Sequence, residues 1–180
     1  MWPDLSEKGN TMEEVLVNKV AESGIITISL EQFIPEEDNI VVFDIKPFLF
    51  KEMILREKDF RLALAAHDWE QYRNKQVAVT CTADAIIPMW AYMLISAALS
   101  PVASFVFSGT AAELTAQLIL SNIEALNVAP YEDKRIVIKG CGDKVMPEGA
   151  YVAITSKLRP VVKSLMYGEP CSTVPVYKKK

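Results

Sequence analysis

Residues 77–109 have the sequence VAVTCTADAIIPMWAYMLISAALSPVASFVFSG, and residues 136–168 have the sequence IVIKGCGDKVMPEGAYVAITSKLRPVVKSLMYG. Each stretch begins with a β-prone apolar segment, continues into a helix-like segment that starts at a proline, and ends in a second β-prone segment. A strand, a helix and a strand in series are typical of a βαβ unit, whose two strands are parallel. The two stretches therefore predict two tandem βαβ units.

The two stretches also match each other residue by residue. Moving the first forward by 59 positions aligns it with the second without a gap and gives nine identities. Any chain with two βαβ units would show part of this likeness, but the ungapped register favours an internal duplication. The identical pairs are Asp84 and Asp143, Pro88 and Pro147, Ala91 and Ala150, Tyr92 and Tyr151, Ile95 and Ile154, Leu99 and Leu158, Pro101 and Pro160, Val102 and Val161, and Gly109 and Gly168.

Two βαβ units with right-handed crossovers form a mostly parallel sheet with helices on both faces. If a pseudo-twofold axis relates the units, their first strands are neighbours, and the strand order is 102–107, 77–81, 136–140, 161–167. This predicts a three-layer α/β fold of flavodoxin-like or Rossmann-like order, which binds ligands where the strand order reverses. The Cα atoms of Cys81 and Cys141 should then lie within about 10 Å of each other.

The rest of the chain is assigned around these units. Polar residues 1–11 are predicted to be a disordered leader, and residues 12–180 are predicted to form a single α/β domain. The further predicted elements are a helix ending near Glu22, strands at 25–30 and 40–43, one or two helices within 47–66, and a helix at 111–126.

The composition narrows the classes of function. The chain has 180 residues, of which 51% are hydrophobic, so it can build a core without disulfides or a structural metal. A net charge of -4 argues against binding to nucleic acid. The N-terminus does not resemble a secretory signal, and the longest apolar run, residues 86–99, is too short to span a membrane. These features predict a cytoplasmic protein without membrane or nucleic-acid partners.

Three cysteines follow predicted strand ends and so share one edge of the predicted sheet. They are Cys81, Cys141 and Cys171. The helices that start beside them would lower the pKa of nearby thiols, because a helix N-terminus favours negative charge. Three thiolates with an Asp or a His, for which His67 is a candidate, could hold zinc, iron or an iron-sulfur cluster, although the chain has no C-x-x-C motif. The leading functional prediction is therefore an accessory protein that binds a metal or an iron-sulfur species at this edge.

Other interpretations of the same edge remain open. The cysteines could merely pack while the two helix N-termini bind a small anion or another small molecule. The apolar helix at 88–99 could instead serve an interaction protein, and it predicts a homo-oligomer. A cysteine nucleophile with His67 as its base is a third and weaker alternative, so the sequence favours a protein that is not an enzyme. The candidate ligand-binding residues are Asp84, Tyr92, Gly140, Gly142, Asp143 and Tyr151.

Several segments resemble one known family. They are LREKDFR at 55–61, HDW at 67–69, CTADAIIPMWAYM at 81–93, IKGC at 138–141 and MYGEPCSTVP at 166–175. From about Met12 to its end, the chain resembles the domain-of-unknown-function 2480 family of uncharacterised bacterial proteins. That family has no established activity, so the resemblance assigns no catalytic residue. A loose association of the family with iron-sulfur assembly genes implies iron-sulfur assembly proteins as partners.

Overall fold

The computed structural model describes residues 24–139, 142, 144–169 and 172–180. The predicted leader, residues 1–11, and the predicted helix ending near Glu22 lie outside this range. The described strands are β1 (Ile25–Ile28), β2 (Ile40–Asp44), β3 (Gln76–Thr80), β4 (Phe105–Ser108), β5 (Arg135–Ile138), β6 (Ser164–Glu169) and β7 (Ser172–Lys178). The described α-helices are α1 (Glu57–Ala66), α2 (Met89–Leu99), α3 (Ala111–Glu124) and α4 (Glu148–Leu158).

The strands form two sheets. A three-stranded parallel sheet has the order β2-β3-β4, and a four-stranded sheet has the order β1-β5-β6-β7. Only the pair β6–β7 is antiparallel among the described strand pairs. The predicted mixed α/β class with parallel βαβ units is therefore present.

The predicted order within a single sheet is wrong. Strands β3 and β5 were expected to pair with each other, but they lie in different sheets. The edge of each that was expected to form this pair is occupied by a strand from earlier in the chain. Strand β2 pairs with β3, and β1 pairs with β5. Without β3 beside β5 there is no flavodoxin-like reversal between them, and the reason for expecting Cys81 near Cys141 is lost. Cys141 itself lies outside the described residues.

The two βαβ units are alike in geometry. Helices α2 and α4 begin and end 59 positions apart, which is the offset of the sequence repeat. Strand β3 pairs with β4 and β5 pairs with β6 in equivalent registers, with Val77 opposite Val106 and Ile136 opposite Leu165. The units thus repeat in structure, each completed by a strand from the N-terminal part of the chain.

Apolar side chains on alternating strand positions bury the helices against the sheets. Val77 and Val79 of β3 share a buried cluster with α1 and α2, whereas Ala78 points to the other face and meets Leu114 and Leu118 of α3. The three-stranded sheet is therefore covered on both faces. This alternation follows from the two-residue period of a strand.

Helix α3 connects the cores of the two sheets. Thr110 caps it, accepting a hydrogen bond from the Glu113 N–H, while the Glu113 carboxylate accepts from the Thr110 N–H. Its N-terminal half packs on the three-stranded sheet, and Ile119 and Ile123 lie in the core of the four-stranded sheet beside Ile154 of α4. One helix thus holds both sheets in contact.

Strand β7 was not predicted, and it contains Pro175 in its middle. The structure places β7 at the edge of its sheet, paired only with β6, where a proline is tolerated because its missing N–H is not needed. The predicted strand after Pro160 is confirmed as β6. It starts at Ser164, since Val161 and Val162 still donate their N–H groups to the Leu158 carbonyl.

None of the helices in the described part of the chain is long and apolar enough to cross a membrane.

Candidate functional site

Helices α2 and α4 follow the carboxyl ends of strands β3 and β5, which belong to two different sheets. Pro88 and Pro147 precede them with almost identical backbone angles, φ -65° with ψ 143° and φ -65° with ψ 142°. Fixing φ at this value, each proline favours the extended backbone from which its helix starts. The predicted convergence of both helix N-termini on one shared edge does not occur, so the candidate residues divide between two places.

Cys81 belongs to the half of the molecule with the three-stranded sheet. It is a half-buried free thiol at the border of the core, and its Sγ lies 3.6 Å from the Ala83 carbonyl oxygen, to which it donates. Asp84, three residues later, is exposed. Among the described residues, Cys81 therefore lies apart from the four-stranded sheet whose strands precede the other two cysteines.

The other two cysteines, with Gly140 and Asp143, lie outside the described residues. The strands that precede the two cysteines, β5 and β6, are hydrogen-bonded neighbours, and Ile138 is the register partner of Tyr167. Across the ranges that the structure describes, His, Cys, Asp and Glu form no group of three or more that could hold a metal ion.

Gly142 and Lys144 are tied to the segment that follows β1. The Glu31 carboxylate accepts a hydrogen bond of 3.2 Å from the Lys144 N–H, and the Lys144 Nζ donates to Glu37 at 2.6 Å. This contact lowers the pKa of Glu37 and raises that of Lys144. A Cβ on Gly142 would collide with the Glu31 carboxylate, so Glu31 can come this close because glycine has no side chain.

His67 ends α1 within a cluster of aromatic rings. Its ring lies edge-on to Phe43 at 5.4 Å and to Trp69 at 4.8 Å, and its Nε2 is 3.1 Å from the Tyr72 hydroxyl. Burial, with a smaller contribution from Asp68, raises the pKa of Tyr72. These contacts place His67 among aromatic rings, and among the described residues it belongs to no group of three or more His, Cys, Asp or Glu that could hold a metal ion.

Asp44 is a residue that the sequence analysis missed. Its Oδ1 accepts hydrogen bonds from the N–H groups of Lys46 (2.9 Å) and Thr82 (3.0 Å), and its Oδ2 accepts from the Thr82 hydroxyl (2.5 Å). Partial burial on its own would raise the pKa of Asp44, but these hydrogen bonds and the nearby Lys46 charge lower it. The carboxylate thereby fastens the loop after β3 to the end of β2.

Asp44→Ala is expected to destabilise the protein by about 1–3 kcal/mol, because it removes three hydrogen bonds to a half-buried carboxylate. Urea unfolding measures this, with the exposed Asp84→Ala as a control that should change stability by less than about 0.5 kcal/mol. Since the folded-state pKa of Asp44 is lowered, its ionic contribution is present above its unfolded-state pKa and is lost as the pH falls through the folded-state pKa. The difference in unfolding free energy between wild type and Asp44→Ala should therefore become smaller at acidic pH. A difference that does not depend on pH would contradict this assignment.

A pocket lies between α4 and the hairpin formed by β6 and β7. Its volume is about 330 Å³, which is at the lower end of the range for small-molecule sites. Tyr151 and Tyr167 stand at its wall with their rings edge-on, 5.8 Å apart between centroids. The other lining residues are Ile138, Ile154, Thr155, Leu165, Met166 and Val176.

The pocket uses one of the residues predicted to bind a ligand. Tyr151 lines it, whereas the equivalent Tyr92 lines a second cavity, between α2 and β4. Ser96 and Val106 of the second cavity correspond to Thr155 and Leu165 of the first pocket, which lie 59 positions later in the sequence. The two cavities are equivalent places in the repeat. Val176 of β7 forms a wall of the first, and no described strand takes that place beside β4.

Fold and site together define an α/β protein with one parallel and one mixed sheet and a largely apolar, tyrosine-lined pocket beside the β6–β7 pair. The chain belongs to the family described as "Protein of unknown function (DUF2480)", whose sequence model matches residues 14–179. This confirms the resemblance noted from the sequence segments. Comparisons with curated proteins and with solved structures gave no match.

Proposed function

We propose that this protein binds a small, largely apolar molecule in the pocket between α4 and the β6–β7 hairpin. The observation that carries this proposal is the pocket of about 330 Å³ itself, lined by aliphatic side chains with two tyrosines at one wall. A concave, mostly apolar surface with a few polar groups is what small-molecule sites usually offer. The protein then acts as a binding module.

The lining restricts the chemistry of the ligand. None of the described residues that line the pocket is charged, so burying a charged group there would leave it without a partner. The Tyr151 and Tyr167 rings favour a flat aromatic or unsaturated ligand. An uncharged aromatic molecule about the size of indole satisfies these conditions.

Blocking the pocket tests this proposal. Thr155 lines it, and Thr155→Phe should fill the space and weaken binding of indole by at least about 10-fold in isothermal calorimetry. Thr155→Ser, which leaves the pocket open, is the matched control and should bind indole as wild type does. If wild type shows no saturable indole binding, or if Thr155→Phe binds as tightly as wild type, the proposal fails.

A second candidate function is a metal or iron-sulfur accessory protein that uses Cys141 and Cys171. It is favoured by one observation, which is that the strands preceding these cysteines, β5 and β6, are neighbours. Two thiolates need further ligands, which a second copy of the chain or an iron-sulfur assembly protein would supply. Stoichiometric zinc or iron in anaerobically purified protein would support this candidate, and protein that stays metal-free after incubation with both would exclude it.

The equal offsets of helices, strand registers and cavities support an origin of the two units by internal duplication. The free thiol of Cys81 suits the reducing conditions of the cytoplasm. The apolar helix α2 supports a homo-oligomer.

A further inference from the structure

Strand β4 is the outer strand of the three-stranded sheet, next to β3. Its counterpart in the other unit, β6, has β7 hydrogen-bonded along its outer edge in antiparallel orientation. Because β3–β4 and β5–β6 pair in equivalent registers, the outer edge of β4 presents its backbone as β6 does. No strand within the described ranges occupies the edge of β4.

The edge of β4 exposes backbone groups that can pair with another strand. Gly109 donates its N–H to the Val79 carbonyl, on the β3 side. Since successive residues of a strand point their backbone groups to alternate sides, Phe105 and Phe107 also face β3, and the N–H and C=O groups of Val106 and Ser108 are directed outward. Protein edges are usually protected by charge or proline, but β4 has the sequence Phe105-Val106-Phe107-Ser108 and contains neither.

The helix beside this edge also offers an uncharged surface. Helix α2 contains no Asp, Glu, Lys or Arg, and Met89 and Met93 are each 71% exposed. The cavity between α2 and β4 has a volume of about 510 Å³, and the described residues that line it are all uncharged. A second copy placed against this face would bring no like charges together, although the chain carries a net charge of -4.

We propose that β4 and α2 form the interface with a second copy of this chain. When a two-fold axis relates two hydrogen-bonded copies of one strand, the strands are antiparallel, which is the orientation that β7 adopts on β6. The dimer thus contains a continuous six-stranded sheet with the order β2-β3-β4-β4-β3-β2. Because the axis is perpendicular to the sheet, both α2 helices lie on the same face, and each meets the other across the axis.

The repeat supplies a matched pair of variants for the test. Met93 on α2 corresponds to Val152 on α4, and the two side chains are 71% and 67% exposed. Met93→Glu places like charges across the proposed interface and should weaken dimerisation by about 100-fold, measured by sedimentation equilibrium. Val152→Glu adds the same charge outside the interface and should leave the dimer unchanged. Circular dichroism should show both variants folded, because both positions are already exposed.

Hydrogen exchange gives an independent measurement. The outward-facing backbone amides of Val106 and Ser108 should be protected in wild type at concentrations where it is dimeric, and should exchange rapidly in Met93→Glu. A wild-type protein that is monomeric at high micromolar concentration would overturn the proposal, as would a dimer that Val152→Glu dissociates and Met93→Glu does not. Unprotected Val106 and Ser108 amides in a stable dimer would overturn the pairing through β4.

Discussion

Gly168→Ala is expected to release β7 from β6 and to lower the free energy of unfolding by about 3 kcal/mol. Gly168 has φ +124°, a conformation that side chains rarely adopt, and a Cβ there would collide with the backbone carbonyl oxygen of Ser172. That oxygen belongs to the strand that pairs with β6, so the clash can be relieved only by moving β7. Urea unfolding measures the loss of stability.

Gly109→Ala is the matched control for this variant. Gly109 occupies the equivalent position in the first unit with φ +149°, but a Cβ there would meet the side chains of Phe107 and Glu113 at 2.7 Å and 2.8 Å. Side chains can rotate away, whereas backbone cannot, so Gly109→Ala should cost about 1 kcal/mol less than Gly168→Ala. An equal loss of unfolding free energy in Gly168→Ala and Gly109→Ala would contradict the role assigned to β7. Indole binding should fall in Gly168→Ala alone, because only there does the pocket lose the wall formed by Val176.

The second large effect is expected from Ile154→Ala, which removes a fully buried side chain that also lines the pocket. It should destabilise the protein by about 2–5 kcal/mol and enlarge the pocket by the volume of the deleted carbon atoms. Ile95→Ala removes the equivalent, equally buried side chain of the first unit. Its cost in urea unfolding should be similar.

Binding separates these two variants. A ligand larger than indole, such as 3-methylindole, should gain affinity relative to indole in Ile154→Ala and should not gain in Ile95→Ala, because only Ile154 lines the pocket. The ratio of the two dissociation constants should change by about 3- to 10-fold, the equivalent of one buried methyl group. An equal change in both variants would place the ligand elsewhere.

The sequence was sufficient to predict local structure where two signals agreed. The helices after Pro88 and Pro147 were predicted closely, because a fixed proline φ precedes an apolar helical pattern in both units. The strand after Pro160 was also correct, since the repeat aligned it with β-prone residues 102–107. Hydrophobic patterning within one segment does not specify which segments become neighbours, so the placement of β1 and β2 beside the two units was missed.

The site was predicted less well for the same reason. Tyr151, a candidate ligand-binding residue, lines the pocket. The other wall comes from β7, a strand that was not predicted. Asp44 was missed because its partners are Lys46 and Thr82, the latter 38 positions away, and a lone aspartate after a strand carries no local signal. Cys81 was grouped with Cys141 only through the incorrect strand order, so the candidate three-cysteine site depended on topology and not on spacing.

The most direct test of the binding proposal is a methyl NMR titration of the wild-type protein with indole, because the chain contains its own control. Saturable shifts are expected at the methyl groups of Ile154, Leu165 and Val176 in the pocket, with those of Ile95 and Val106 in the equivalent half unchanged. Absence of shifts at Ile154, Leu165 and Val176, or equal shifts in both halves, would contradict the binding proposal.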